Sequence, residues 1–135
     1  MKLTALLDTL PVPWWRLLAW LDVVIVLSLS LLSLPVPEQL EFWNSDKLVH
    51  IAMYASLMLC FSRGYSRRRW PWIACALAGL GLSIEYLQSL TPTRHASLLD
   101  ECANVSGIAI MLWSVMRAPD AASHAPRNRS DQKHP

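Results

Sequence analysis

The sequence predicts an all-α protein, a membrane-embedded four-helix bundle with both termini on the cytoplasmic side. Three observations predict it. Of the 135 residues, 53% are hydrophobic and only 16% are charged, whereas a soluble domain carries about 25% charged residues. The apolar residues are gathered into four long runs, and the basic residues fall in alternate connections between them. The formal net charge of +2 is too small to indicate nucleic acid, so its distribution is the informative quantity.

A membrane span takes about 20 mostly apolar residues, with a lower limit near 17. The first run extends from Leu17 to Leu34, interrupted by Asp22, and is ended by Pro35 and Pro37, which cannot continue a helix. The second, Leu48 to Ser62, reaches spanning length only with Asp46 and Lys47 in the headgroup layer. Asn44 and Ser45 are good N-caps for it, and Gly64 is expected to close it as a C′ glycine. The third, Trp70 to Leu90, has Pro71 in its first turn and stops at Thr91-Pro92. The fourth, Leu98 to Met116, is capped by Ser97. The first run is longer than a signal-peptide core of roughly 7–15 residues and no small-x-small cleavage site follows it, so it is expected to be retained. The chain thus divides into a cytoplasmic segment 1–16, a membrane domain 17–116 and a basic, disordered cytoplasmic tail 117–135.

Lys and Arg in short connections set orientation. Arg63, Arg67, Arg68 and Arg69 lie between the second and third runs with no acid, Arg117, Arg127, Arg129 and Lys133 follow the fourth, and Lys2 and Arg16 precede or open the first. The other two connections are acidic or mixed, with Glu38, Glu41 and Asp46 in one and Arg94, Asp100 and Glu101 in the other. The expected topology is N-in/C-in, with loops 35–46 and 91–98 outside. Trp14, Trp15, Trp20, Trp70, Trp72 and Trp113 fall near the inner interface, where an amphipathic ring is favoured, and Trp43 stands alone outside.

This topology brings polar residues to one depth. At a rise of about 1.5 Å per residue, His50 lies about 6 Å below Asp46, and Asn104 the same distance below Asp100. Glu85 lies at a similar depth on the third run. Asp46/His50 and Asp100/Asn104 are i,i+4 pairs, Glu85/Gln88 is i,i+3, and Tyr54 extends the His50 face. The expected binding set is Asp46, Lys47, His50, Tyr54, Glu85, Gln88, Arg94, Asp100 and Asn104. A carboxylate in this layer costs up to a few kcal/mol unless paired or hydrated, which points to a site. Arg94, Lys47 and His50 suit a phosphate or carboxylate. The bland reading is that these groups only tie helices together, each bond contributing roughly 0.6–2 kcal/mol. Asp22, nearer the inner end, is expected to stand apart. Ala74 and Ala78, and the pair Ala103 and Gly107, are small residues that let helices approach closely. Cys60, Cys75 and Cys102 lack metal-ligand spacing, so neither metal nor cofactor is expected.

In order and spacing, DKLVHIAMY (Asp46–Tyr54), IEYLQ (Ile84–Gln88), PTRHASLLD (Pro92–Asp100) and NVSG (Asn104–Gly107) resemble the pattern of the VanZ-like membrane proteins. The resemblance covers Asp46 to Met116. It implies residence in a bacterial cytoplasmic membrane, a four-helix bundle and an envelope-related function; the family is named after a member linked to resistance to the glycopeptide teicoplanin, but the resemblance brings neither that resistance nor a settled activity to this chain.

Three functions follow as expectations. The first is a binding protein whose outward pocket takes the headgroup of a membrane lipid or lipid-linked cell-wall intermediate. The second is an intramembrane hydrolase or transferase on a lipid-linked phosphate or sugar, with His50 and Glu85 as general acid and base. The third is a ligand-free bundle acting through membrane partners. A homo-oligomer is compatible with each.

Overall fold

The computed structural model describes residues 10–32, 45–91 and 97–117, and within them finds helices and no strands. The helices are α1 (Val12–Leu31), α2 (Ser45–Gly64), α3 (Trp70–Ser89), entered through a 3-10 turn at Arg67–Arg69, and α4 (Leu98–Arg117). Each α-helix has 20 residues, a length of about 30 Å that matches the hydrocarbon core of a bilayer. Trp43, Arg94, the loop carrying Pro35 and the tail from Ala118 onward lie outside the described residues.

Two boundaries differ from expectation. Helix α1 begins at Val12, not Leu17, because Pro11 caps it and Pro13 sits in the first turn, where a missing N–H leaves no bond unmade. It ends at Leu31, and the Leu32 N–H bonds back to Ser28 O at 2.9 Å. Asp22 therefore lies midway along α1, where it accepts a 2.8 Å hydrogen bond from Ser56 Oγ of α2. Gly64 does not take the left-handed backbone of a C′ glycine. It is small because α1 crosses there: a Cβ would stand 3.1 Å from Arg16 Cγ and 3.3 Å from the Arg16 backbone nitrogen. Arg16 Nε donates to the Gly64 carbonyl at 3.0 Å.

The contacts fix the direction of every helix. The start of α1 meets the end of α2 (Arg16 with Gly64), and the ends of α1 and α3 meet (Ser30 with Gln88). The starts of α2 and α4 meet (His50 with Asn104), and Arg67, just beyond α2, donates to Met116 O near the end of α4. Neighbours in sequence thus run antiparallel, and α2 and α4 lie parallel. Gly107 permits the α2/α4 seam, since a Cβ there would collide with the Ile51 carbonyl oxygen and stand 3.1 Å from Ala55 N.

Helices α1 and α4, and α3 together with its 3-10 turn, are long and apolar enough to cross a membrane. Helix α2, with Asp46, Lys47, His50, Ser56, Ser62 and Arg63, is not among them. It packs against all three other helices. Its Tyr54, Leu57 and Met58 are almost fully buried and form the centre of the core with Ala19, Val26, Leu77, Ile84 and Ile108. The outer surface is apolar, with Leu17, Val24, Ile25, Trp72, Leu82, Tyr86, Ile110 and Trp113 all exposed. Ala74 and Ala78 of α3 pack against the core, while Gly79 of the same helix has nothing within 4 Å of a would-be Cβ.

Candidate functional site

Alternating directions gather the end of α1, the start of α2, the end of α3 and the start of α4 at one end of the bundle. Lys47 bridges Asp100 Oδ1 at 2.7 Å and Asp46 Oδ2 at 2.9 Å, tying α2 to α4 at the rim. These two α2 residues precede the apolar stretch that begins at Leu48. Asp100, followed by Asp46, pushes the Lys47 ammonium up to about 12, and the hydrogen bond from Lys47 holds Asp46 below the ordinary carboxylate value.

One turn deeper, His50 Nδ1 lies 2.9 Å from Asn104 Oδ1, and Asn104 Nδ2 donates to Glu101 Oε2 at 3.1 Å. Because the amide nitrogen faces Glu101, the amide oxygen is the acceptor toward His50, so the imidazole donates from Nδ1. That assignment leaves Nε2 as the second ring position, the acceptor in the neutral tautomer.

The floor is made by Tyr54, Glu85 and Gly81. Asn104 is 2% exposed, Tyr54 2% and Glu85 6%. A Cβ on Gly81 would collide with Glu101 Oε2 and stand 2.9 Å from Asn104 Nδ2 and 3.2 Å from the Tyr54 hydroxyl. Three polar atoms thus converge where α3 carries no side chain. Glu85 Oε2 accepts the Ser97 backbone N–H at 2.8 Å. Ser97 caps α4 by accepting the Asp100 N–H on Oγ at 3.3 Å. In a capping box the acid at the third helical position would bond back to the cap N–H. Here Glu85 takes that N–H from another helix, and Asp100 is left to pair with Lys47.

Among the described residues, two buried atoms in this network have no partner, the Tyr54 hydroxyl and Glu85 Oε1. Around them the described carboxylates Asp46, Glu85, Asp100 and Glu101 stand against Lys47, already bonded to two acids, and His50.

Of the expected set, Asp46, Lys47 and Asp100 form one bonded chain at the rim and His50 and Asn104 a second one below it, and Tyr54 lies beneath. Three expectations need correction or fall elsewhere. Gln88 is at the same end but donates to the Ser30 carbonyl at 2.7 Å, tying α3 to α1 without joining either chain. Among the described residues Glu85 and His50 do not bond to each other, since their partners are Ser97 and Asn104. Arg94 lies outside the described residues. Sequence reasoning missed Glu101, Ser97 and Gly81 as members. The i,i+3 spacing of Glu101 and Asn104 was the available signal for the first. Ala103 and Gly107 are buried, and Gly107 lies on the seam with α2. No group of three His, Cys, Asp or Glu side chains comes together to hold a metal among the described residues.

Fold and site together define a helical bundle of membrane-protein character with a buried polar network at one end. The chain matches no protein-family model, no curated protein and no solved structure.

Proposed function

We propose that this chain is a VanZ-like protein of the bacterial cytoplasmic membrane, oriented N-in/C-in, whose polar end faces outward and binds the headgroup of a lipid or lipid-linked cell-wall intermediate. The reading rests on one observation. In a network where the other buried polar groups are bonded, one donor (the Tyr54 hydroxyl) and one acceptor (Glu85 Oε1) are left open among the described residues. Leaving such a group unsatisfied costs about 1–3 kcal/mol, so the pair is poised for something that can accept from one and donate to the other. A hydroxyl group does both, whether it belongs to the headgroup or to a water held beneath it. A bare phosphate offers no donor to Glu85 and would face four carboxylates. Lys47, the described cation at the rim, is already held by Asp100 and Asp46. The favoured headgroup is therefore rich in hydroxyls, such as a sugar or a glycerol.

The test is analysis of lipids that co-purify with the wild type, Tyr54→Phe and Glu85→Gln. A hydroxyl-rich lipid enriched with the wild type and reduced several-fold in both variants supports the reading. The same lipid profile in all three proteins contradicts it.

A further inference from the structure

The opposite end of the bundle carries a groove of about 320 Å³ between α1 and α3, floored by the end of α2. Trp20, Phe61, Tyr65, Trp72, Ile73 and Ala76 line it, with Arg69 at its edge. The aromatic floor is ordered. Trp20 meets Phe61 edge-on at 5.6 Å, Phe61 stacks on Tyr65 at 5.8 Å, and the Arg16 guanidinium covers the Tyr65 ring at 5.2 Å.

The arginines of this end divide into two groups. Arg16 bonds to Gly64 O, Arg63 lies over Trp15, Arg67 bonds to Met116 O and lies over Trp70, and Arg117 lies over Trp113. The exposed guanidiniums of Arg68 and Arg69 have no such partner among the described residues. An apolar trough thus opens to the lipid-facing surface with an unengaged planar cation at its edge. We propose that it seats one acyl chain of an anionic phospholipid, with the phosphate on Arg69 and Arg68 beside it. The volume is at the lower end of the roughly 300–1,000 Å³ of ligand pockets, which suits a single chain. The guanidinium fork matches a phosphate's paired oxygens, and basic residues at a membrane surface attract anionic lipid. The site is separate from the polar end and does not depend on what binds there.

The test uses the full chain in nanodiscs of phosphatidylcholine containing a minor fraction of phosphatidylglycerol, with retained lipid read by native mass spectrometry. The wild type is expected to retain phosphatidylglycerol several-fold over its share of the bilayer. The double variant Arg68→Gln/Arg69→Gln loses that preference. Ala76→Phe, which fills the trough from an exposed position without changing charge, loses it too. Arg117→Gln, on the same end but away from the trough, keeps it. Retention in proportion to bilayer composition overturns the proposal, as does equal loss in Arg117→Gln, which would show general attraction to the basic end. A dimer that covers the trough and excludes lipid from it also overturns it. Should Ala76→Phe fail to fold, the arginine variants decide alone.

Discussion

His50 and Asn104 meet at 2.9 Å across the α2/α4 seam, and Asn104 passes its amide donor on to Glu101 at 3.1 Å. One 98%-buried side chain thus holds two polar groups from opposite sides. Asn104→Ala would strip both at once and leave the imidazole and the carboxylate facing a void. The expected loss is about 1–3 kcal/mol for each buried group left unsatisfied, read as a lower unfolding midpoint in detergent. An unchanged midpoint would show that the network is not formed.

Glycine positions separate seams from surface. Gly107→Ala drives a methyl into the Ile51 carbonyl, which is backbone and cannot turn aside, and Gly81→Ala drives one into Glu101. The first should destabilise by about 1–3 kcal/mol for overpacking, and the second by less, because the Glu101 carboxylate is the end of a flexible side chain that can move aside. Gly79→Ala meets open space and should be neutral or stabilise by up to about 1 kcal/mol through helix propensity. Equal effects at all three positions, measured by thermal unfolding, would contradict the packing described.

Tyr54→Phe removes a buried hydroxyl that has no partner among the described residues. Without ligand, the variant should be as stable as the wild type or slightly more so, because nothing bonded is lost. Stabilisation by an added hydroxyl-rich lipid should shrink at the same time. If the hydroxyl served only structure, the variant would unfold more easily in the absence of lipid.

Lys47 and Asp46 titrate outside the physiological range. Lys47 is raised from 10.5 to about 12, so its ion pairing contributes fully below 10.5 and is lost as pH climbs toward 12. Asp46 is lowered from 3.8, so its contribution holds above that value and is lost as pH falls below it. Unfolding midpoints of the wild type and Lys47→Met should therefore differ by a constant amount between neutral pH and the onset of Lys47 titration, and converge at the alkaline extreme. A difference that changes through neutral pH would contradict this.

The polar end was legible in sequence as far as helical period and alternating topology could carry it. Asp46, His50, Asp100 and Asn104 repeat every four residues, so their faces were fixed before their partners were known. Glu101 escaped because it adjoins Asp100. Neighbouring residues point about 100° apart on a helix, and these two acids go to different partners, one outward to Lys47 and the other inward to Asn104. The partners of Glu85 and Gln88 could not be read at all, since each bonds to a backbone group that any residue would supply. Gly64 read as a helix terminator, while its role is to admit Arg16, a contact set by the crossing of α1 over α2. Asp22 was misplaced because the start of α1 at Pro11-Val12 was not recognised.

The central claim is that separate helices deliver their polar residues to one outward end. The most direct test uses a variant lacking Cys60, Cys75 and Cys102, with cysteine pairs at 47/100 and 50/104, in intact cells. Both pairs should form intramolecular disulfides on oxidation, and the 47 and 100 positions should react singly with a membrane-impermeant thiol reagent added from outside. Failure to crosslink, or labelling only after the membrane is opened, would contradict the account.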